Sequence, residues 1–214
     1  MSKPFAESMK SISPDDLAGA GERRFIRPFT QLSRFLAGAV FCFAFGPLVA
    51  DSLAADKAGM DHMQLTSTAF TEGAAIPANY TCDATNVSPP LKWSGVPAGA
   101  KSLALIVDDP DAPSGTWVHW VLYDLPPAVT ELPENLPKSQ YIAGGAKQGL
   151  NDFRHLGYGG PCPPRGKPHR YFFKLYALDA LLDLKPGATK KDLESAMEKH
   201  IVAQAQLLGT YQRK

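Results

Sequence analysis

Read along its hydrophobic and polar positions, the last three-quarters of the chain alternates short apolar runs with turn-forming residues. Ser102-Leu103-Ala104-Leu105-Ile106-Val107-Asp108 is continuous and apolar, bounded by turn signals, so it predicts a buried strand. Trp117 to Leu125 predicts a second strand, with Trp117, His119, Val121 and Tyr123 on one face. Arg170 to Leu178 predicts a third, on which His169, Tyr171, Phe173 and Leu175 point the same way. Gln64 to Phe70 and Leu91 to Trp93 are shorter candidates. The stretches 76–90 and 126–137 are dense in Pro, Asn, Asp and Ser and predict loops. Near the end, Thr189 with Asp192 three residues on forms a near capping box. Leu193, Met197, His200, Ile201, Gln204, Leu207 and Leu208 then recur at helical spacing. Gly209 is expected to stop that helix, and Thr210-Tyr211 to finish as a strand. The fold class is therefore mainly β, with a C-terminal amphipathic helix and small peripheral helices.

The first 54 residues follow different rules. A long polar segment with Arg23, Arg24, Arg27 and Arg34 precedes an uncharged apolar run from Phe35 to Ala50. Ser52-Leu53-Ala54 then gives a small-x-small pattern. This order is that of an export signal with a long polar leading region. The run falls short of the roughly 20 apolar residues a bilayer-spanning helix needs, so cleavage after Ala54 is expected, with a retained anchor as the alternative. Three segments follow: a signal over 1–54, a flexible mature terminus over 55–63, and one domain over 64–214. The expected location is periplasmic or secreted, with no stable membrane anchor once the signal is removed.

Charge narrows the partners. The whole chain has a formal net charge of +1, and residues 55–214 carry 16 basic and 16 acidic side chains. No basic excess suggests nucleic acid. Beyond the signal the cysteines are Cys82 and Cys162. An oxidising compartment permits a disulfide between them, which would pin the Cys82 loop to a Gly/Pro-rich loop; two unpaired thiols are the alternative.

Two distant stretches look built to meet. One runs Asp109-Pro110-Asp111-Ala112-Pro113, then Trp117-Val118-His119-Trp120. The other runs Gly157-Tyr158-Gly159-Gly160-Pro161-Cys162-Pro163-Pro164, then His169-Arg170-Tyr171. Together they offer carboxylates, imidazoles, a phenol and loop amides, the chemistry of a pocket for an anion such as phosphate. Asp109 placed against His119 would favour an imidazolium and fix which ring nitrogen meets the ligand. The amides of Gly160 and Cys162 are the candidate anion nest, since prolines cannot donate. Pro113 and Trp117 could line the mouth, while Trp120 reads as core. Arg170 alternates with His169 and Tyr171, so it should face away and make an ion pair. Each residue also has a plain structural role open to it: Asp-Pro steps start turns, and Asp111 could be local scaffold. No H-x-x-x-H or G-x-S-x-G pattern occurs, so no catalytic residue, metal site or cofactor is expected.

These motifs, with Ser88-Pro89-Pro90-Leu91-Lys92-Trp93 and the terminal Ala203 to Tyr211, resemble the phosphatidylethanolamine-binding protein family, in its bacterial Raf kinase inhibitor-like branch. The resemblance runs from about residue 64 to the end. It implies a Greek-key-type β-sandwich with a shallow anion pocket at one end. It also implies that Asp109, His119, the backbone at Cys162, and Tyr171 hold phosphate or a phosphoryl headgroup, with Asp111, Pro113 and His169 around them. Val118 stands where eukaryotic members carry a second histidine. The expected function is an exported, non-catalytic protein holding a small phosphorylated or carboxylated ligand, a phospholipid headgroup being one candidate. The alternative is an inhibitor of a protease or kinase acting through the loops at the pocket rim.

Overall fold

The computed structural model describes residues 62–214; the expected export signal over 1–54, and the terminus as far as residue 61, lie outside the described residues. Two antiparallel sheets form. The smaller joins β1 (Gln64–Thr66), β2 (Leu91–Ser94) and β5 (Glu131–Leu132) in the order β1-β2-β5. The larger contains β3 (Ser102–Asp109), β4 (Trp117–Leu125), β6 (Lys147–Gln148), β7 (His169–Leu178) and β8 (Ile201–Tyr211), in the order β6-β4-β3-β7-β8. A single α-helix, α1 (Lys190–Met197), lies among the described residues, with 3-10 turns at Ala78–Tyr80 and Ala143–Gly145. The fold is thus mainly β with one helix.

Strand β3 explains its own unbroken apolar run. Leu103, Leu105 and Val107 join Leu65, Leu91 and Trp93 in the core between the sheets. Ala104 and Ile106 pack instead with Val121, Tyr123, Leu193 and Met197 in a second core under α1. Both faces are covered, so alternation with polar residues would bury unpaired groups. The charge at Asp108, only 1% exposed, is met by Lys174 at 2.9 Å and by Lys190. The pair ties the first turn of α1 to β3 and β7.

The C-terminal expectation needs correcting. Helix α1 begins as expected: Thr189 Oγ1 accepts from the Asp192 amide, and the Asp192 carboxylate accepts from the Thr189 amide. It ends at Met197 rather than near Leu208, and Ile201–Tyr211 is a strand paired with β7 along its length. The segment carries two periods at once. Ala203, Ala205, Leu207 and Gly209 alternate toward the core, but alanine and glycine weigh little as apolar signals. The ladder to β7 decides between them. Gly209 is no helix terminator: a Cβ there would stand 2.6 Å from Ile76 Cγ1 and 2.9 Å from the Phe70 ring, so glycine admits these side chains to the core.

Topology brings the candidate residues to one end of the larger sheet. β3 finishes at Asp109, opposite Trp117 where β4 begins, and β7 begins at His169. Cys82 and Cys162 are disulfide-bonded with Cα atoms 5.4 Å apart, which fastens the Gly/Pro-rich loop to the segment after the first 3-10 turn.

Replacing Asp108 by Asn is expected to lower unfolding stability by about 2 kcal/mol. That is less than the ~3–5 kcal/mol of a fully buried pair, because both lysines retain partial contact with water. Chemical denaturation checks it; an unchanged midpoint would mean the two lysines do not depend on the carboxylate.

Candidate functional site

At that end of the sheet lies a cavity of about 270 Å³. Asp109, His119 and His169 line it, with Trp117, Phe153, Pro113, Pro163, Pro164 and Cys162 among the walls and Ala112 and Ser114 at the loop edge. Aromatic and proline surfaces dominate, and a few ring nitrogens supply polarity. That is the usual make-up of a small-ligand pocket.

Each polar group on this wall is held from behind. Asp109 Oδ1 accepts from the Asp111 amide at 2.8 Å, and Oδ2 accepts from His169 Nδ1 at 2.7 Å. His169 therefore carries a proton on Nδ1 and presents Nε2 as its second ring nitrogen. His119 Nδ1 donates to the Gly159 carbonyl at 2.6 Å, while the Gly159 amide donates to the His119 carbonyl at 2.9 Å. This reciprocal pair stitches the Gly/Pro-rich loop to β4. The His119 ring is 2% exposed and lies edge-on to Phe153 at 5.4 Å and Tyr171 at 5.2 Å between ring centroids. Burial pushes its imidazole below the usual histidine range, outweighing the Gly159 carbonyl and the Asp109 charge. The Trp117 indole N–H is buried with no hydrogen-bond partner among the described residues.

The supporting shell is polar and mostly satisfied. Asp152 accepts the Val118 amide at 2.7 Å and returns its own amide to the Val118 carbonyl, which clamps the Phe153 turn to β4. Asn151 Nδ2 donates to the Gly157 carbonyl at 2.9 Å. Tyr158 Oη donates to the Tyr80 carbonyl at 2.7 Å. The Gly157 φ of +77°, with the Gln148 side-chain amide against its α-carbon, leaves room for glycine only. Among the described residues no group of three or more His, Cys, Asp or Glu side chains is arranged to hold a metal ion.

A sequence model described as phosphatidylethanolamine-binding protein matches residues 66–212. The chain belongs to that family. It is 56% identical over 151 residues to a UPF0098 protein of Methanothermobacter thermautotrophicus, covering 71% of this chain and 99% of that one. It is 52% identical to a UPF0098 protein of Aquifex aeolicus over 159 residues, or 73% and 92% of the two chains. Among solved structures, a phosphatidylethanolamine-binding protein homologue from Chlamydia trachomatis shares 47% identity at a TM-score of 0.66, covering 72% of this chain and 99% of that one. The E. coli protein YbcL, described as a member of the mammalian PEBP family, shares 36% identity at a TM-score of 0.68 with the same coverage.

In this member of the phosphatidylethanolamine-binding protein family, five of the eight residues expected to hold the ligand reach the cavity wall: Asp109, Pro113, His119, Cys162 and His169. Three do not. Asp111 is turned outward, where Arg170 grips it with Nε and a terminal nitrogen at 2.9 and 2.8 Å and adds its backbone amide at 2.9 Å. That is the ion pair foreseen for Arg170, and it makes Asp111 a latch between the Asp109–Pro113 loop and β7. The Gly160 amide is spent on Asn86 Oδ1 at 2.7 Å, and the residue is glycine because a Cβ would collide with the Tyr80 carbonyl. Tyr171 is fully buried behind His119, its hydroxyl unpartnered among the described residues, and burial with the nearby Asp109 carboxylate raises its pKa. The expected Asp109–His119 pair is also replaced: the carboxylate serves His169, because the two lie at adjoining strand ends while His119 is turned to the loop carbonyl. Sequence reasoning missed Phe153. Its one signal is the Asn151-Asp152 turn chemistry ahead of it, which shows no sign of which wall the ring joins.

The Asp111–Arg170 latch gives a pH dependence of known sign. Arg170 holds the Asp111 carboxyl down to about 2. A folded-state value below the unfolded one adds stability above the ordinary Asp range of roughly 4, and that contribution is lost as pH falls through the folded value. With side chains 29% and 55% exposed, the effect is small. Asp111→Asn should therefore melt slightly below wild type at pH 7, the two converging toward pH 2. A gap that persists at pH 2 would assign the loss to packing.

Proposed function

We propose that this protein is an exported, non-catalytic binding protein. It holds a small phosphate-bearing or carboxylate ligand, a phospholipid headgroup among the candidates, in the cavity at the ends of β3, β4 and β7. Membership of a binding-protein family supports the general reading. One observation carries the specific one: His119 and His169 share one cavity wall, each with Nδ1 held from behind and Nε2 left as its second ring nitrogen. The two imidazoles bring their ring nitrogens to one small volume whose other walls are mainly aromatic and proline. Export is supported by the sequence pattern of residues 1–54 and by the Cys82–Cys162 bridge, which suits an oxidising compartment.

Calorimetric titration with phosphate, phosphoethanolamine and acetate tests this. At least one should bind, and His169→Phe, which keeps a ring and removes the wall nitrogen, should weaken it about five- to tenfold, the size of one net hydrogen bond. No heat with any of the three, or an unchanged affinity in His169→Phe, would remove this site from the account.

A further inference from the structure

We propose that an oxyanion enters this cavity only together with one proton, which His119 takes up on Nε2. The inference rests on the anion-binding reading above and adds a regulating variable to it. His119 Nδ1 stands 2.6 Å from a carbonyl oxygen, which can only accept, so Nδ1 carries hydrogen in every state. The neutral ring then bears a lone pair on Nε2, the nitrogen on the edge left to the cavity. A lone pair cannot bond an anionic oxygen; a proton there makes it a charged donor. Rotation of the ring offers no escape, because it is clamped by Gly159 and enclosed by Phe153 and Tyr171.

The two histidines differ in how they can carry charge. His169 has the Asp109 carboxylate at 2.7 Å behind it. His119 has a carbonyl behind it and is nearly sealed from water. The charged groups that face it are Asp109 at the end of β3 and Asp152 on the Phe153 turn. From β7 come the un-ionised phenol of Tyr171 and, on the shared wall, His169. Neither carboxylate is free to move in: Asp109 has both oxygens bonded, to the Asp111 amide and to His169, and Asp152 holds the Val118 amide. Burial of the ring therefore keeps it neutral until an anion arrives. The arriving charge compensates the imidazolium it creates. Binding and protonation become two halves of one event, and by linkage the affinity must rise as pH falls.

Sulfate is the discriminating probe, because it remains a dianion across the working range and brings no proton of its own. Titrations of the full chain with sulfate between pH 7 and 9 should show the affinity falling by about tenfold per pH unit, the slope for one proton taken up per anion. Nitrogen-15 spectra of the imidazoles should show His119 doubly protonated in the sulfate complex and singly protonated without it. Sulfate bound with no pH dependence overturns the proposal. So does a complex in which only His169 gains the proton, or a site that takes inorganic phosphate but refuses sulfate at every pH from 5 to 9, since the ligand then supplies the hydrogen. If neither anion binds anywhere in that range, the anion-binding reading falls with it.

Discussion

The two hydrogen bonds exchanged by His119 and Gly159 hold the rest of the site in place. They join a strand of the larger sheet to an irregular loop that has no ladder of its own. Without them the Gly/Pro-rich segment would lose its direct tie to the His119 backbone and ring and keep its contacts with Asn151, Asn86, Tyr80 and Cys82. With them, the loop becomes an extra edge of β4 and His119 is fixed in one tautomer. A catalytic or binding imidazole is usually oriented by the partner of its second nitrogen. Here that partner is backbone, so the orientation depends on the loop conformation and not on a titrating group.

The surrounding polar groups follow the same economy. Asp109 is nearly buried and both its oxygens are occupied, one by its own loop and one by His169. It therefore acts as an organiser of the wall. Asp152 clamps the turn that delivers Phe153, and Phe153 in turn limits water at His119 and packs edge-on against Trp117. The larger sheet supplies stiffness beneath: β3 is covered on both faces, and its buried Asp108 is neutralised by two lysines from β7 and α1. Precision at the cavity is thus built from strand ends, with loops stapled to them.

Much of this was legible in the chain because strand periodicity and motif order are local signals. The unbroken run of β3, the shared faces of His119 with Trp117 and of His169 with Tyr171, and the resemblance carried by the two motifs all follow from residue order. The C-terminal segment misled because Ile201 to Tyr211 fits two periods, and its inward residues are Ala203, Ala205 and Gly209, whose burial depends on what approaches them. Tyr171 shares a strand face with His169 as expected, but one residue pair deeper along β7 places it beneath His119 and off the wall. The exchange of partners, with Asp109 serving His169, depends on which strand ends adjoin. So does the use of Gly160 to admit the Tyr80 backbone. Both are tertiary facts with no local signature.

The central claim is that one small oxygen-bearing ligand is held by the ring nitrogens of His119 and His169. A crystal structure of the full chain grown with inorganic phosphate tests it most directly. The account predicts a phosphate in this cavity with an oxygen within hydrogen-bonding distance of Nε2 of His119 or His169. Phosphate bound only elsewhere on the molecule would contradict it.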